Sequence, residues 1–121
     1  MDYKLEFGKL ELDGQEFSSD VVLYNNGTII KRPKEISKPK KEKYGHTPLT
    51  REELEVIIKR NFDYILIGTG IYGYLPIEKE AIDYLKEKCK FIIIGKSSDI
   101  LEYLKQKQIE GEYIAIIHIT C

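Results

Sequence analysis

The chain has 121 residues, of which 42% are hydrophobic and 32% charged, and its net charge is −1. This length fits one domain that buries about two-thirds of its unfolded surface, and the composition excludes a disordered chain. The longest apolar runs are far shorter than the ~20 residues of a membrane-spanning helix, and the first residues have no signal-peptide pattern. Cys89 and Cys121 form no CxxC motif, which favours a reducing compartment, so we expect a cytoplasmic location.

The first thirty residues predict an antiparallel β meander. Residues 4–7 and 9–12 alternate or nearly alternate between apolar and polar side chains, and Asp13-Gly14 supplies a turn after them. Two further apolar segments, residues 21–24 and 28–30, flank an Asn-Asn-Gly sequence. Because Asn and Gly accept the positive φ angles of tight turns, these two segments are predicted to form a hairpin.

A basic segment with three prolines follows at residues 31–48. It is predicted to be a loop because it has almost no apolar side chain to bury. Seven lysines or arginines and two glutamates give residues 31–43 a net charge of +5. Clustered positive charge attracts phosphate, so an anion or nucleic-acid contact is one interpretation, and a solvated connector is the other. The side chains that would make such a contact are Lys38, Lys40, Lys41 and His46.

From residue 50 the pattern changes to alternating helices and strands. Thr50 and Glu53 match a capping box, which predicts a helix from there to about Asn61. Helical spacing of apolar residues predicts two more helices, and short apolar runs predict strands that are buried on both faces. The predicted order is helix 50–61, strand 64–67, helix 77–89, strand 91–94, a third helix that includes residues 100–104, and strand 113–119. This αβαβαβ order over residues 50–121 predicts a layered α/β fold with helices packed against a sheet.

Several short motifs, in this order and at this chain length, carry a resemblance to a known family. They are Phe7-Gly8, Gly14 with Phe17, Asp20-Val21, Asn26-Gly27-Thr28, Gly45-His46, Gly68-Thr69-Gly70 and the ending His-Ile-Thr-Cys at residues 118–121. On these motifs the chain resembles, from end to end, the small adipogenesis-associated domain family, whose relatives include a mitochondrial assembly factor for respiratory complex I. The resemblance implies a single three-layer α/β domain with a mixed central sheet, and no established catalytic activity. Relatives often carry Trp shortly after the hairpin, where this chain has Lys31-Arg32-Pro33, so the role of that Trp is not carried over.

Residues 63–77 contain an apolar strand and a glycine-rich loop that matches G-x-G-x-x-G. In a dinucleotide site the third glycine opens the next helix, whereas here Tyr74-Leu75-Pro76 intervene. The next strand also lacks the acidic residue that would bind a ribose, and we interpret the loop as a strand-to-helix crossover. If it binds a ligand, the predicted contacts are Gly68, Thr69, Gly70, Tyr72, Gly73, Lys96, His118 and Cys121.

No residue set predicts catalysis, a metal or a cofactor. His118 lies in an apolar strand, where a hydrogen-bonded core histidine is the usual role, and no cluster has zinc spacing. We therefore expect a protein that acts by binding, as an interaction or assembly module with a protein partner, without a nucleic-acid or membrane partner; self-association is left open. The alternatives are a small-ligand protein or enzyme that uses the loop at residues 68–73 on a phosphate-bearing compound, and nucleic-acid contact through the basic loop.

Overall fold

The computed structural model describes residues 1–106 and 109–121, which contain two β-sheets and four helices. A small antiparallel sheet consists of β1 (Tyr3–Glu6), β2 (Lys9–Leu12) and β3 (Gln15–Phe17). The larger sheet consists of β4 (Val21–Tyr24), β5 (Ile29–Lys31), β6 (Phe62–Gly68), β7 (Cys89–Gly95) and β8 (Tyr113–Ile117), in the order β5-β4-β8-β6-β7. The helices are α1 (Lys41–Tyr44), α2 (Arg51–Ile57), α3 (Lys79–Lys88) and α4 (Ser97–Gln106).

The larger sheet is mixed, as predicted. Strand β6 lies between β7 and β8 and runs parallel to both, whereas β4 is antiparallel to β8 and to β5. The predicted N-terminal meander is divided between the two sheets. Because Val21, Val22 and Leu23 are all buried, β4 requires cover on both faces, and it joins the larger sheet together with its hairpin partner β5.

The larger sheet is the middle of three layers, which confirms the predicted fold class. On one face, Ile65 and Ile67 of β6 belong to a core shared with α2 and α3. On the other face, Leu66 belongs to a second core with Leu101 of α4 and Leu10 of the small sheet. This division follows from the alternation of side chains along a strand, because successive residues point to opposite faces.

The three predicted helices are present as α2, α3 and α4, with different ends. Helix α2 ends at Ile57, before the predicted end at Asn61, because Ile58 is extended (φ −110°, ψ 96°) and buried. Helix α3 begins at Lys79, later than predicted, because the chain before it is extended. Cys89, predicted in that helix, opens β7 instead. No helix in the described residues is long and apolar enough to cross a bilayer.

The basic segment is folded and is not the open loop that the sequence predicts. It contains two 3-10 turns, Lys34–Ile36 and Lys38–Lys40, which lead into α1. Ser37, between the two turns, is fully buried, and its hydroxyl lies 2.8 Å from the Thr50 hydroxyl and 2.7 Å from a Glu53 carboxylate oxygen. The sequence pattern missed this fold because the anchoring partners lie 13 and 16 residues further along the chain.

Candidate functional site

The three parallel strands end at the same edge of the larger sheet, which we call the carboxyl edge. Their ladders pair Gly68 at the end of β6 with Gly95 of β7 and with Ile117 of β8. The segments that follow these strands therefore converge, and the structure brings the predicted ligand contacts in the glycine loop, Lys96 and residues 118–121 to one place. Crevices outside the carboxyl ends of parallel strands are the usual ligand sites of open α/β sheets.

The glycine loop packs directly on the elements that surround it. A Cβ atom on Gly70 would lie 2.4 Å from the carbonyl carbon of Cys121 and 2.8 Å from Cδ2 of His118. A Cβ atom on Gly68 would lie 2.8 Å from the Cα atom of Ser97. These distances are shorter than any side chain tolerates, so both glycines permit a close approach of backbone segments.

The amide groups of the loop donate to the protein's own chain. The Ile71 N–H donates to the carbonyl oxygen of Thr120 at 2.7 Å. The N–H groups of Tyr72 and Tyr74 both donate to the backbone oxygen of Cys121, at 3.2 and 3.0 Å. In a nucleotide site such amides would cradle a phosphate. Here they fix residues 118–121 against the loop.

Ser97, the first residue of α4, links the loop to the segment that follows β8. Its hydroxyl accepts a hydrogen bond from the Gly70 N–H at 2.9 Å and donates to the carbonyl oxygen of His118. Its own N–H donates to the Gly70 carbonyl oxygen at 3.1 Å. Because Ser97 is fully buried, these contacts join the start of α4 to two neighbouring segments of the carboxyl edge.

A network of buried charged side chains lies next to the carboxyl edge, and its centre is Arg32, which is 1% exposed. The Arg32 Nε and Nη2 atoms donate to the two carboxylate oxygens of Glu53, at 2.6 and 3.0 Å. Its Nη1 donates to Asp20 at 2.9 Å, and Nη2 also donates to the Pro48 carbonyl oxygen at 2.9 Å. Burial lowers the pKa of Arg32, but the hydrogen bonds and charges of Glu53 and Asp20 outweigh burial and raise it. Arg32 therefore stays charged and holds both carboxylates.

His118 belongs to the same network through Asp20. The His118 Nδ1 atom lies 2.7 Å from Asp20 Oδ2, and its Nε2 atom lies 3.3 Å from the Thr120 hydroxyl. Asp20 also accepts the Ile119 N–H at 2.9 Å. His118 is 7% exposed and its imidazole has a partner at both nitrogens, so it forms part of the core network.

The register of the sheet explains why these residues meet. Val21 pairs with Lys31 on one side and with Ile117 on the other. Asp20, one residue earlier, therefore lies between Arg32 and His118 across three neighbouring strands. Sequence reasoning missed Asp20, Arg32 and Glu53 because the register of strands that are far apart in the chain cannot be read locally.

The pKa of Asp20 is lowered in the folded protein. Burial by itself would raise it, but the hydrogen bond and charge of His118, the Ile119 N–H and the charge of Arg32 outweigh burial. A carboxyl group with a lowered folded-state pKa contributes stability above its unfolded-state pKa of about 3.9. This contribution is lost as the pH falls through the folded-state pKa.

Acid should therefore remove the contribution of Asp20 to stability. We expect the difference in unfolding free energy between wild type and Asp20→Asn to be largest near pH 7 and to shrink below about pH 4. Urea unfolding at several pH values measures this difference, with Asp2→Asn, at an exposed residue, as the control. A difference for Asp20→Asn that stays constant from neutral to acidic pH would contradict the role of the ionised carboxylate.

The side chains of the basic segment that were predicted to contact anions differ from one another in their surroundings. Lys40 Nζ donates to Glu78 at 3.0 Å, and the Tyr44 hydroxyl donates to the same carboxylate at 3.1 Å. Lys40 is thus engaged within the protein, and its contact anchors the segment to the start of α3. Lys38 and Lys41 are exposed. The structure does not bring these lysines together into one site with the glycine loop.

A row of rings lies over the glycine loop, and we call Phe7, Tyr72, Tyr74 and His46 the aromatic row. The ring centroids of Phe7 and Tyr72 are 6.3 Å apart, those of Tyr72 and Tyr74 are 6.0 Å apart, and those of Tyr74 and His46 are 6.3 Å apart. Phe7 and Tyr72 are each 57% exposed and Tyr74 is 62% exposed. Sequence analysis proposed Tyr72 and His46 as candidate contacts but not Phe7 or Tyr74, and it could not group the four residues because they come from three separate segments of the chain.

The chain is similar to solved structures, among them the following two, whereas no protein-family model and no curated protein matches it significantly. The crystal structure of the conserved hypothetical protein PH1505 from Pyrococcus horikoshii OT3 is 37% identical, with 100% of both chains covered and a TM-score of 0.85. The structure of a protein named MT938 is 28% identical, covers 98% of this chain and 97% of its own, and has a TM-score of 0.72. Neither name states an activity or a partner.

Proposed function

The chain belongs to the same family as the conserved hypothetical protein PH1505, and we propose that it acts by binding another protein, as an interaction or assembly module. The observation that carries the proposal is the exposed aromatic row at the carboxyl edge. The resemblance of the sequence to the small adipogenesis-associated domain family, which includes an assembly factor, supports the same function. We place this function in the cytoplasm, where the free thiols of Cys89 and Cys121 stay reduced.

The aromatic row has the chemistry of a protein-binding surface. Contiguous exposed apolar groups mark interaction sites, and tyrosine is enriched at the centres of protein interfaces. Tyr72 and Tyr74 are held by a loop whose backbone is hydrogen bonded to residues 120 and 121. A rigid aromatic surface loses little conformational entropy on binding, which favours this row as the anchor for a partner.

A small phosphate-bearing ligand is the second candidate, because the structure brings Lys96 beside the loop. The Lys96 Cγ atom lies 3.5 Å from the position that a Cβ atom on Gly73 would occupy. Gly73 has a φ of 78°, a left-handed backbone conformation that a regular strand does not contain. However, the amides of residues 70–72 and 74 already donate within the protein, and a phosphate would have to displace these hydrogen bonds. This cost favours a macromolecular partner over a small anion.

Replacing the two tyrosines should release the partner without unfolding the protein. We expect Tyr72→Ser with Tyr74→Ser to weaken binding of a partner captured by the wild-type protein by at least about tenfold, since the rings are lost but the loop backbone is kept. The matched control is Val56→Ser in α2, at another exposed apolar residue (48% exposed). Affinity of the purified partner is measured for all three proteins.

Two results would overturn the proposal. One is equal affinity of the partner for the wild type and the double tyrosine variant. The other is a rise in melting temperature with inorganic phosphate or nucleotides, in a protein that captures no partner, which would favour the small-ligand candidate.

A further inference from the structure

Strand β7 is an outer strand of the larger sheet and pairs on one side with β6. Along its other side, no strand of residues 1–106 or 109–121 is hydrogen bonded to it. An open edge is a template for pairing with another chain, and natural proteins usually protect such edges by short length, charge or proline.

The opposite edge of the same sheet has these protections. Strand β5 has three residues, ends at Lys31, and is followed by Arg32 and Pro33. Strand β7 has seven residues with the sequence Cys-Lys-Phe-Ile-Ile-Ile-Gly and contains no proline. Its single charged side chain, Lys90, lies 3.3 Å from Asp63 of the neighbouring strand. The edge formed by β7 is therefore long and apolar, whereas the edge formed by β5 is short and protected from pairing.

Both faces of β7 carry exposed apolar side chains. Phe91 is 55% exposed and stacks on Tyr64 with ring centroids 5.2 Å apart, on the face covered by α4. Ile94 is 46% exposed and lies on the other face together with Ile92, which packs on the core under α3. Parallel sheets are normally covered on both faces. An occupant of this edge must therefore supply a strand and also apolar cover on both sides of it.

We propose that β7 pairs with β7 of a second copy of this chain, antiparallel about a two-fold axis at Ile92. A second copy presents the same layered edge, with one strand between two helical layers, so it covers both faces at once. In this register Phe91 lies beside Ile93 of the second copy, and Ile94 lies beside the aliphatic stem of its Lys90. The two five-stranded sheets then become one continuous sheet.

The charges permit this pairing. Each Lys90 faces Ile94 of the second copy, so the two lysines are four residues apart along the strand direction, which is about 13 Å. That distance exceeds the screening length of about 8 Å at physiological ionic strength, and each lysine has its own Asp63. We expect the dimer to dissociate in the micromolar range, because each copy contributes the edge of one seven-residue strand with two exposed large apolar side chains, Phe91 and Ile94.

Sedimentation equilibrium of the full chain from about 5 to 500 µM tests the proposal. The wild type should pass from monomer to dimer, and Ile94→Lys should raise the dissociation constant at least about tenfold, because it places a second cation beside Lys90 of the other copy. The control is Ile30→Lys in β5, which adds the same charge at the opposite edge (Ile30 is 38% exposed) and should leave the dimer intact.

Hydrogen exchange gives a second readout that needs no substitution. Amides of β7 should become more protected as the wild-type concentration rises, while amides of β5 should not. A protein that is monomeric at all concentrations, a dimer that Ile30→Lys weakens but Ile94→Lys does not, or β7 protection independent of concentration would each overturn the proposal.

Discussion

Replacing Arg32 by methionine is expected to lower the free energy of unfolding by roughly 3–5 kcal/mol. Methionine fills a volume similar to that of arginine, so the loss in unfolding free energy reports mainly the removal of the positive charge. The variant leaves the carboxylates of Asp20 and Glu53 buried without the guanidinium that now donates to both of them. A buried carboxylate without a partner is far less stable than one exposed to water, and this penalty produces the large expected effect.

Urea unfolding at neutral pH measures this effect, with Lys31→Met, at the exposed neighbouring residue, as the control. Lys31→Met should change the free energy of unfolding by no more than about 0.5 kcal/mol. Adding Glu53→Leu to Arg32→Met should restore part of the lost stability, because it removes one of the uncompensated charges. A loss below about 1 kcal/mol for Arg32→Met would show that the network is not held by its ion pairs.

The layered fold could be predicted from the sequence because its signals are local. The apolar runs around Ile65 and Ile93 and the helical spacing after Glu78 each lie within one element, and the structure contains those elements. Element ends were predicted less well. Ile58 leaves α2 early because burial in the tertiary structure outweighs its helical pattern, and no local signal reports that burial.

Of the two hydrogen bonds of the predicted capping box, the structure contains one. The Thr50 hydroxyl accepts the Glu53 N–H at 3.2 Å, as predicted. The Glu53 carboxylate, which would complete the box, instead binds Arg32 and Ser37. A guanidinium is a stronger partner for a carboxylate than a backbone amide, so tertiary structure overrides the local motif.

The carboxyl edge was predicted only in part, again because its long-range contacts cannot be read from the local sequence. The glycine spacing identified the loop at residues 68–73 as an unusual backbone segment. The sequence could not show which groups its amides would contact, because their acceptors Thr120 and Cys121 lie about fifty residues further on. It also could not show that Phe7 would reach Tyr72, since that contact depends on how the small sheet packs.

Replacing Gly70 by alanine is expected to destabilise the fold severely, by more than about 3 kcal/mol. Gly70 has a φ of 108°, a conformation that L-residues with a side chain rarely adopt, which alone costs of the order of 1–3 kcal/mol. The added Cβ would also lie 2.4 Å from the Cys121 carbonyl carbon. Relief of this overlap would require the loop and residues 118–121 to separate, which breaks the hydrogen bonds from Ile71, Tyr72 and Tyr74.

Gly27→Ala separates the two causes, because Gly27 has a similar φ of 91° but no atom within 4 Å of its Cβ position. This control should show the conformational cost alone, about 1 kcal/mol. The difference between the two variants in urea unfolding then measures the close packing of the glycine loop on residues 118–121. Equal losses for the two variants would mean that the loop can move away from Cys121 at little cost. In that case the loop amides can become accessible to an external anion. That result would support the small-ligand candidate, which the internal hydrogen bonds of these amides now disfavour.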